Sequence, residues 1–290
     1  MDKFLLIIIP FLSAMALRKA GVIRDRHSQI ITSYVINFSL PCLTIMTINR
    51  LDLKHIDFNV VIIAWTVMSA AACMSYFIAR VLGLEGGKLR SFILVVTFPN
   101  TCFVGYPVTF ALYGSAGLPY AVIYDQMGMV PLFLTIGFMV AGGRKSLSSA
   151  LKFPPFIALL FALLLNIAGL TMPPVIAPVL QWAGWTTLPL TIFLIGTRIT
   201  LKIVHDYQNV AASVALRMIA MPALLYVTLA TIGTTGLPYK VALLETAMPP
   251  ALITSILALK YNLDEEFAVA SISAGTVLGM FAFAVLALFR

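Results

Sequence analysis

Apolar residues along the chain fall into blocks of membrane-spanning length, parted by short stretches where charge, glycine and proline gather. Read block by block, the pattern predicts ten helical spans. They are roughly Phe4–Leu17, Ile30–Ile48, Val60–Ala79, Leu89–Tyr113, Pro119–Val140, Pro155–Leu170, Val175–Ile199, Val210–Thr231, Leu237–Leu259 and Glu266–Phe289. The connections between them are brief and leave no room for a soluble domain.

Composition agrees with the pattern. Of 290 residues, 61% are hydrophobic and 10% charged, where a soluble domain would carry about a quarter charged; the mean hydropathy is +1.00. The class is therefore an all-α polytopic membrane protein. The formal net charge is +8, but the basic residues lie between apolar runs rather than in one patch. That argues against nucleic acid as a partner and for a topological bias. With the N-terminus outside, the inside connections hold Arg18, Lys19, Arg24, Arg26, Arg80, Lys88, Arg90, Arg144, Lys145, Lys152, Arg198, Lys202 and Lys260. Outside fall only Lys3, Arg50, Lys54, Lys240 and Arg290. Both termini are therefore expected outside, in the plasma membrane of a cell and by preference a bacterial inner membrane.

The first block, "LLIIIPFLSAMA", imitates a secretory signal, but Arg18, Lys19, Arg24 and Arg26 follow it, whereas a signal carries its positive charge in front. It is read as the first span. Cys42, Cys73 and Cys102 sit within apolar segments without a CxxC pair and are read as small buried residues; His27, His55 and His205 are scattered over polar connections. No metal or other cofactor is expected.

The chain resembles itself. "SLPCLTIMTI" (39–48) matches "TLPLTIFLIG" (187–196), "TFPN" (97–100) matches "AMPP" (247–250), and "ALYGSAGLPYAVI" (111–123) matches "ALKYNLDEEFAVA" (258–270). The offsets are 148, 150 and 147 residues, in the same order. A duplication follows: residues 1–140 as a first five-helix repeat, 141–155 as a short cytoplasmic linker and 156–290 as a second repeat. An odd number of spans per half inverts the second half relative to the first, as in many secondary transporters.

Two spans carry their own breakers. "TFPNTCFVGYPV" (97–108) interrupts the fourth and "AMPP" the ninth. From Leu89 to Asn100 is roughly 16 Å at helical rise, and from Leu237 to Pro249 roughly 18 Å from the other face, so both breaks fall near the middle of a hydrocarbon core about 30 Å thick. Pro99 releases the carbonyl of Val95, and Pro249 and Pro250 those of Glu245 and Thr246. Broken backbone at that depth is tolerated only beside protein or a water-filled cavity. Beyond each break the positive end of a half-helix faces the gap and favours an anion. Asn100 and Thr101 add donors there. Ordinary proline kinks are the competing account.

At these residues the chain resembles a known family. "PNTCFVGYP" (99–107), "LPLTIFLIGTRI" (188–199) and "AMPPALITSILALKYNLD" (247–264) are similar to segments of the auxin efflux carrier family, which includes plant PIN auxin transporters and bacterial carriers of malonate-like acids. The resemblance runs over essentially the whole chain and extends in fold to bile-acid/sodium symporters. It implies a 5+5 inverted repeat in which broken helices four and nine cross, with spans 1, 2, 6 and 7 as scaffold and spans 3–5 and 8–10 as a transport domain moving by an elevator. It also implies that Asn100 contacts a substrate carboxylate, that Pro99, Pro249 and Pro250 form the crossing, and that the protein pairs as a homodimer through scaffold helices. The long hydrophilic loop of the plant carriers is reduced here to "AGGRKSLSSALKFPP" (141–155), which points to a microbial carrier of small organic acids.

Charges inside spans complete the expectation. Asp125 lies in span five and Glu245 four residues before Pro249. An acid at that depth costs about 2.5–3.5 kcal/mol on insertion scales, so each is a candidate for coupling to H+ or Na+; a hydrogen-bonded structural acid is the alternative. Gln126 either orients substrate or packs. Arg217 either offsets a carboxylate or, the reading preferred here, snorkels to the interface. The Asp264–Glu265–Glu266 run reads as a solvated cap of span ten. The function expected is a secondary active transporter of small organic anions, with Pro99, Asn100, Thr101, Gln126, Pro249 and Pro250 binding substrate. A membrane receptor is the alternative, as is an intramembrane enzyme, although HExxH, GxSxG and paired catalytic carboxylates are missing.

Overall fold

Prolines decide where the rods of this molecule widen and where they stop. The computed structural model describes residues 2–51, 57–143, 152–199 and 206–288. These form α1 (Asp2–Lys19), α2 (Asp25–Asn49), α3 (Asn59–Val81) and a divided α4. The first arm of α4 is Gly86–Thr97; its second opens with a π turn, Thr101–Gly105, and continues as Tyr106–Tyr113. Next come α5 (Leu118–Ala141), α6 (Pro154–Ile167), α7 (Ile176–Arg198) and α8 (Tyr207–Ile232). A divided α9 (Leu237–Thr246, then Ile253–Lys260) and α10 (Glu265–Leu288) complete the fold. No strand occurs among the described residues. Most of the expected linker (144–151), together with His55 and His205, lies outside them.

Six helices (α2, α3, α5, α7, α8 and α10) are long and apolar enough to cross a membrane. Of the others, α1 carries charge at both ends, α6 has 14 residues, and α4 and α9 are interrupted. Large apolar side chains cover the outer faces, among them Phe77, Phe161, Leu164, Trp182 and Phe281, as expected where lipid rather than water is the solvent.

Four π turns share one cause. Val35–Ser39, Thr101–Gly105, Tyr124–Met129 and Leu216–Ala220 each end two residues before a proline: Pro41, Pro107, Pro131 and Pro222. A proline ring strikes the carbonyl four residues earlier, and one wide turn moves that carbonyl aside without ending the helix. Three of these turns carry the side chains of the site described below.

Packing sorts the helices. The N-terminal helix α1 lies along the second half of α7, and α2 lies against α6 and α7. A Cβ on Gly196 would meet the Phe11 carbonyl and Ala14, and one on Gly184 the backbone of Leu43, so small residues permit both approaches. On the other side, α3 packs on the first arm of α4 and on α5, while α10 packs on α8 and that same arm. Phe92 stacks on Phe267 there, with centroids 6.0 Å apart. Asp264 caps α10 by accepting the Phe267 N–H at 2.9 Å. All three thiols are free; Cys42 is buried as expected, whereas Cys73 is exposed and Cys102 half-buried. Cys73 faces outward from α3, and Cys102 borders a cavity.

Candidate functional site at the helix crossing

The first arm of α4 ends at Thr97 and the chain goes extended at Phe98 (φ −105°, ψ 111°). There it meets the break of α9. The Asn100 N–H donates to the Pro249 carbonyl at 2.7 Å, and the Ala251 N–H donates to the Phe98 carbonyl at 2.8 Å. Pro99 and Pro250 face each other in an antiparallel bridge. Two segments that have each lost helical bonds thus satisfy one another, which a mid-membrane break requires.

The carbonyl ends of both first arms meet one side chain. Arg217, on the π turn of α8, is fully buried. Its Nη1 donates to the carbonyls of Val96 and Thr97, both at 2.9 Å, and its Nη2 to that of Thr246 at 2.5 Å. It neither snorkels, as expected above, nor pairs with a carboxylate among the described residues. Instead a fixed cation sits where two helix dipoles present their negative ends. Of the carbonyls expected to be released, that of Thr246 is among those held; Val96 and Thr97 lie one and two residues nearer the crossing than Val95, because the helix already stops at Thr97.

On the opposite side of the crossing the second arm of α4 begins. The carbonyl of Asn100 accepts the N–H groups of Val104 and Gly105, at 3.2 and 3.0 Å. The Asn100 side chain is buried, and its Nδ2 has no hydrogen-bond partner among the described residues. Pro99, Asn100, Thr101 and Asp125 border a cavity of about 400 Å³. Its remaining walls are mainly apolar, including Leu40 of α2, Met129 and Phe133 of α5 and Leu252 at the α9 break. Lys152, exposed, stands at its mouth.

The two buried acids differ. Asp125 accepts from the Thr101 hydroxyl at 2.5 Å and from the Tyr106 hydroxyl at 2.9 Å, so both oxygens are engaged beside the cavity. Glu245 accepts from Thr109 at 2.8 Å, while its Oε2 is buried without a partner among the described residues. That oxygen fills the space left by Gly105, where a Cβ would collide with it. Glu245 does not border the cavity, and neither does Gln126, whose Nε2 donates to Thr44 of α2 at 2.8 Å. Pro249 and Pro250 lie behind the cavity, at the chain pairing. Among the described residues no cluster of His, Cys, Asp and Glu could hold a metal. Sequence reasoning missed Tyr106, Thr109 and Lys152, and misread Arg217; the one local signal for the last was Pro222, which forces the wide turn on which Arg217 stands.

Comparison with known proteins follows the same lines. Residues 2–147 and 138–287 match a family model described as membrane transport protein. An uncharacterized transporter of Methanothermobacter thermautotrophicus is 28% identical over 288 residues, covering 96% of this chain and 94% of its own. One of Methanocaldococcus jannaschii is 27% identical over 296 residues, covering 97% and 95%. An all-helical chain, broken at mid-course in two places and matched from end to end, belongs to the membrane transport protein family, the auxin efflux carrier-like transporters.

Proposed function

We propose that the protein is a secondary carrier of small organic anions, carboxylates of the malonate or auxin kind, held where α4 and α9 cross. The observation that carries this reading is the buried Asn100 Nδ2, without a partner among the described residues, beside a cavity and at the amide end of the second arm of α4. A buried donor left unsatisfied costs about 1–3 kcal/mol; a carboxylate would satisfy it and meet the positive end of the arm at once. The apolar walls favour a guest with a hydrocarbon body, and Lys152 at the mouth favours a negative one.

The alternating-access reading rests on symmetry. In it, ten spans form two inverted halves, 1–140 and 156–290, joined by the linker 141–155. Ser39 and Thr187, repeat-related at an offset of 148, bond at 3.0 Å, and Pro99 faces Pro250, the neighbour of its repeat partner Pro249. Repeat-related residues touch in this way when a two-fold axis passes between them. Helices α1, α2, α6 and α7 pack together and would form the scaffold of an elevator, with the exposed apolar faces of α6 and α7 available to a second copy. Asp125, and behind it Glu245, would couple transport to H+ or Na+. Both termini would lie outside a bacterial inner membrane.

The test is uptake by liposomes holding the purified protein, across mono- and dicarboxylates, with and without imposed proton and sodium gradients. Saturable uptake of a carboxylate, competed by its analogues, is expected. Transport of cations or neutral solutes with carboxylates ignored would refute the reading.

A further inference from the structure

Two cavities share the seam between α2 and α5. The site cavity takes Ile36 and Leu40 from α2 and residues from Asp125 onward from α5. A second, of about 500 Å³, takes Leu43 and Thr47 from α2, Arg50 just past its end, and Leu118 and Tyr120 from α5, with Gln181 of α7 also in its wall. Their linings do not overlap. Along α2 the change falls between Leu40 and Leu43, and along α5 between Tyr120 and Asp125. The hydrogen bond from Gln126 to Thr44 lies at that level, both residues fully buried. Leu43, Val122 and Ile123, close to that pair in sequence, belong with the ring of Tyr106 to one buried, mainly apolar cluster. The Gln126 Oε1 has no partner among the described residues.

We infer that the Arg50 pocket is the opposite mouth of the substrate path, that it admits the same organic anions, and that the Gln126–Thr44 bond is the latch between the two mouths. The inference rests on the carrier reading above. An apolar layer alone would seal the seam; a polar pair set inside it adds one bond that can be broken and remade, and the spare oxygen of Gln126 gives that side chain a second bonding position once Thr44 is released. Among the described residues each mouth has one cationic side chain in its lining, Lys152 at one and Arg50 at the other, and an exposed cation at a low-dielectric mouth draws anions in. Arg50 is held by the Gln181 Oε1 at 3.2 Å, which keeps it at the rim.

The test needs no knowledge of the substrate. In a full-length chain carrying Cys42→Ala and Cys73→Ala, the remaining Cys102 borders the site cavity. A membrane-impermeant maleimide is added to one face of sealed vesicles at a time. The parent should react from the Lys152 face only. Thr44→Val and Gln126→Leu should each raise reaction from the Arg50 face about fivefold, the population shift that one typical hydrogen bond holds back. Unchanged reaction from that face in both variants, with the protein monodisperse, overturns the latch; if either variant aggregates, Gln126→Asn is read by the same criterion. The pocket is probed separately by Thr47→Cys in a chain without native thiols: an anionic thiosulfonate should react faster than a cationic one, and Arg50→Gln should abolish the preference. Equal rates before that change overturn the anion mouth. Failure of the carrier reading would appear elsewhere, as absent uptake with this labelling pattern intact.

Discussion

Arg217 donates to the carbonyl of Thr246 across 29 positions of sequence, and the same guanidinium holds the carbonyls of Val96 and Thr97. One side chain therefore closes the carbonyl ends of two interrupted helices. Arg217→Met should leave three buried acceptors without a donor and cost about 3 kcal/mol or more, read as a fall in Tm of roughly 6–10 °C for the purified protein in detergent. Arg217→Lys should recover only part of this, because an ammonium lacks the planar fork that reaches both arms. A Tm within 2 °C of the parent for Arg217→Met, with ~1 kcal/mol or less implied, would remove the residue from this role.

Asn100 serves with two different groups. Its backbone N–H pairs with Pro249, which a side-chain change does not touch. Asn100→Ala should thus keep the fold and Tm while binding of the transported anion weakens by about ten- to a hundredfold, the worth of a hydrogen bond to a charged group. Calorimetric titration of the monodisperse variant decides it; unchanged affinity would exclude Asn100 from the site.

Gly105 and Glu245 compete for one volume. Gly105→Ala should destabilise by about 1–3 kcal/mol as an overpacked site does. In a Glu245→Ala background the same change should cost less than about 0.5 kcal/mol, a non-additivity expected of touching residues. Additive losses in a denaturation cycle would show that the carboxylate is not what Gly105 accommodates.

Asp125 accepts from two hydroxyls, Thr101 and Tyr106. Asp125→Asn keeps the shape and requires one hydroxyl to turn from donor to acceptor, at a cost of about 1 kcal/mol, so the protein should still fold. If Asp125 carries the coupled proton, uptake by the parent should rise with an imposed proton gradient and uptake by the variant should not. An equal response in both would assign the coupling elsewhere.

What could be read from the chain alone was what is local. Pro99, Pro249 and Pro250 announce breaks because proline acts on its own helix, and eleven or twelve residues of helical rise place them at one depth. The offset of 148 that aligned "SLPCLTIMTI" with "TLPLTIFLIG" reappears as the contact between Ser39 and Thr187. Partnership across the fold was hidden. Insertion cost marks Arg217 and Gln126 as expensive at their depth, yet does not say that the carbonyls of Val96 and Thr97, 121 and 120 positions away, receive the one, or that Thr44, 82 positions away, receives the other. Lys152 was legible only as a topological charge; its place at the cavity mouth depends on how α6 approaches the crossing.

The facing prolines of the α4–α9 bridge have one more effect. Pro99, Pro249 and Pro250 lack the N–H that a longer ladder would need, so the pairing is capped at its present two bonds and cannot lengthen by annexing neighbouring backbone. Clamped further by a single guanidinium, the junction behaves as a block of constant dimensions. On the carrier reading proposed above, the spacing of its amide-bearing ends would travel unchanged between leaflets, and a guest would meet the same donors on arrival and on departure.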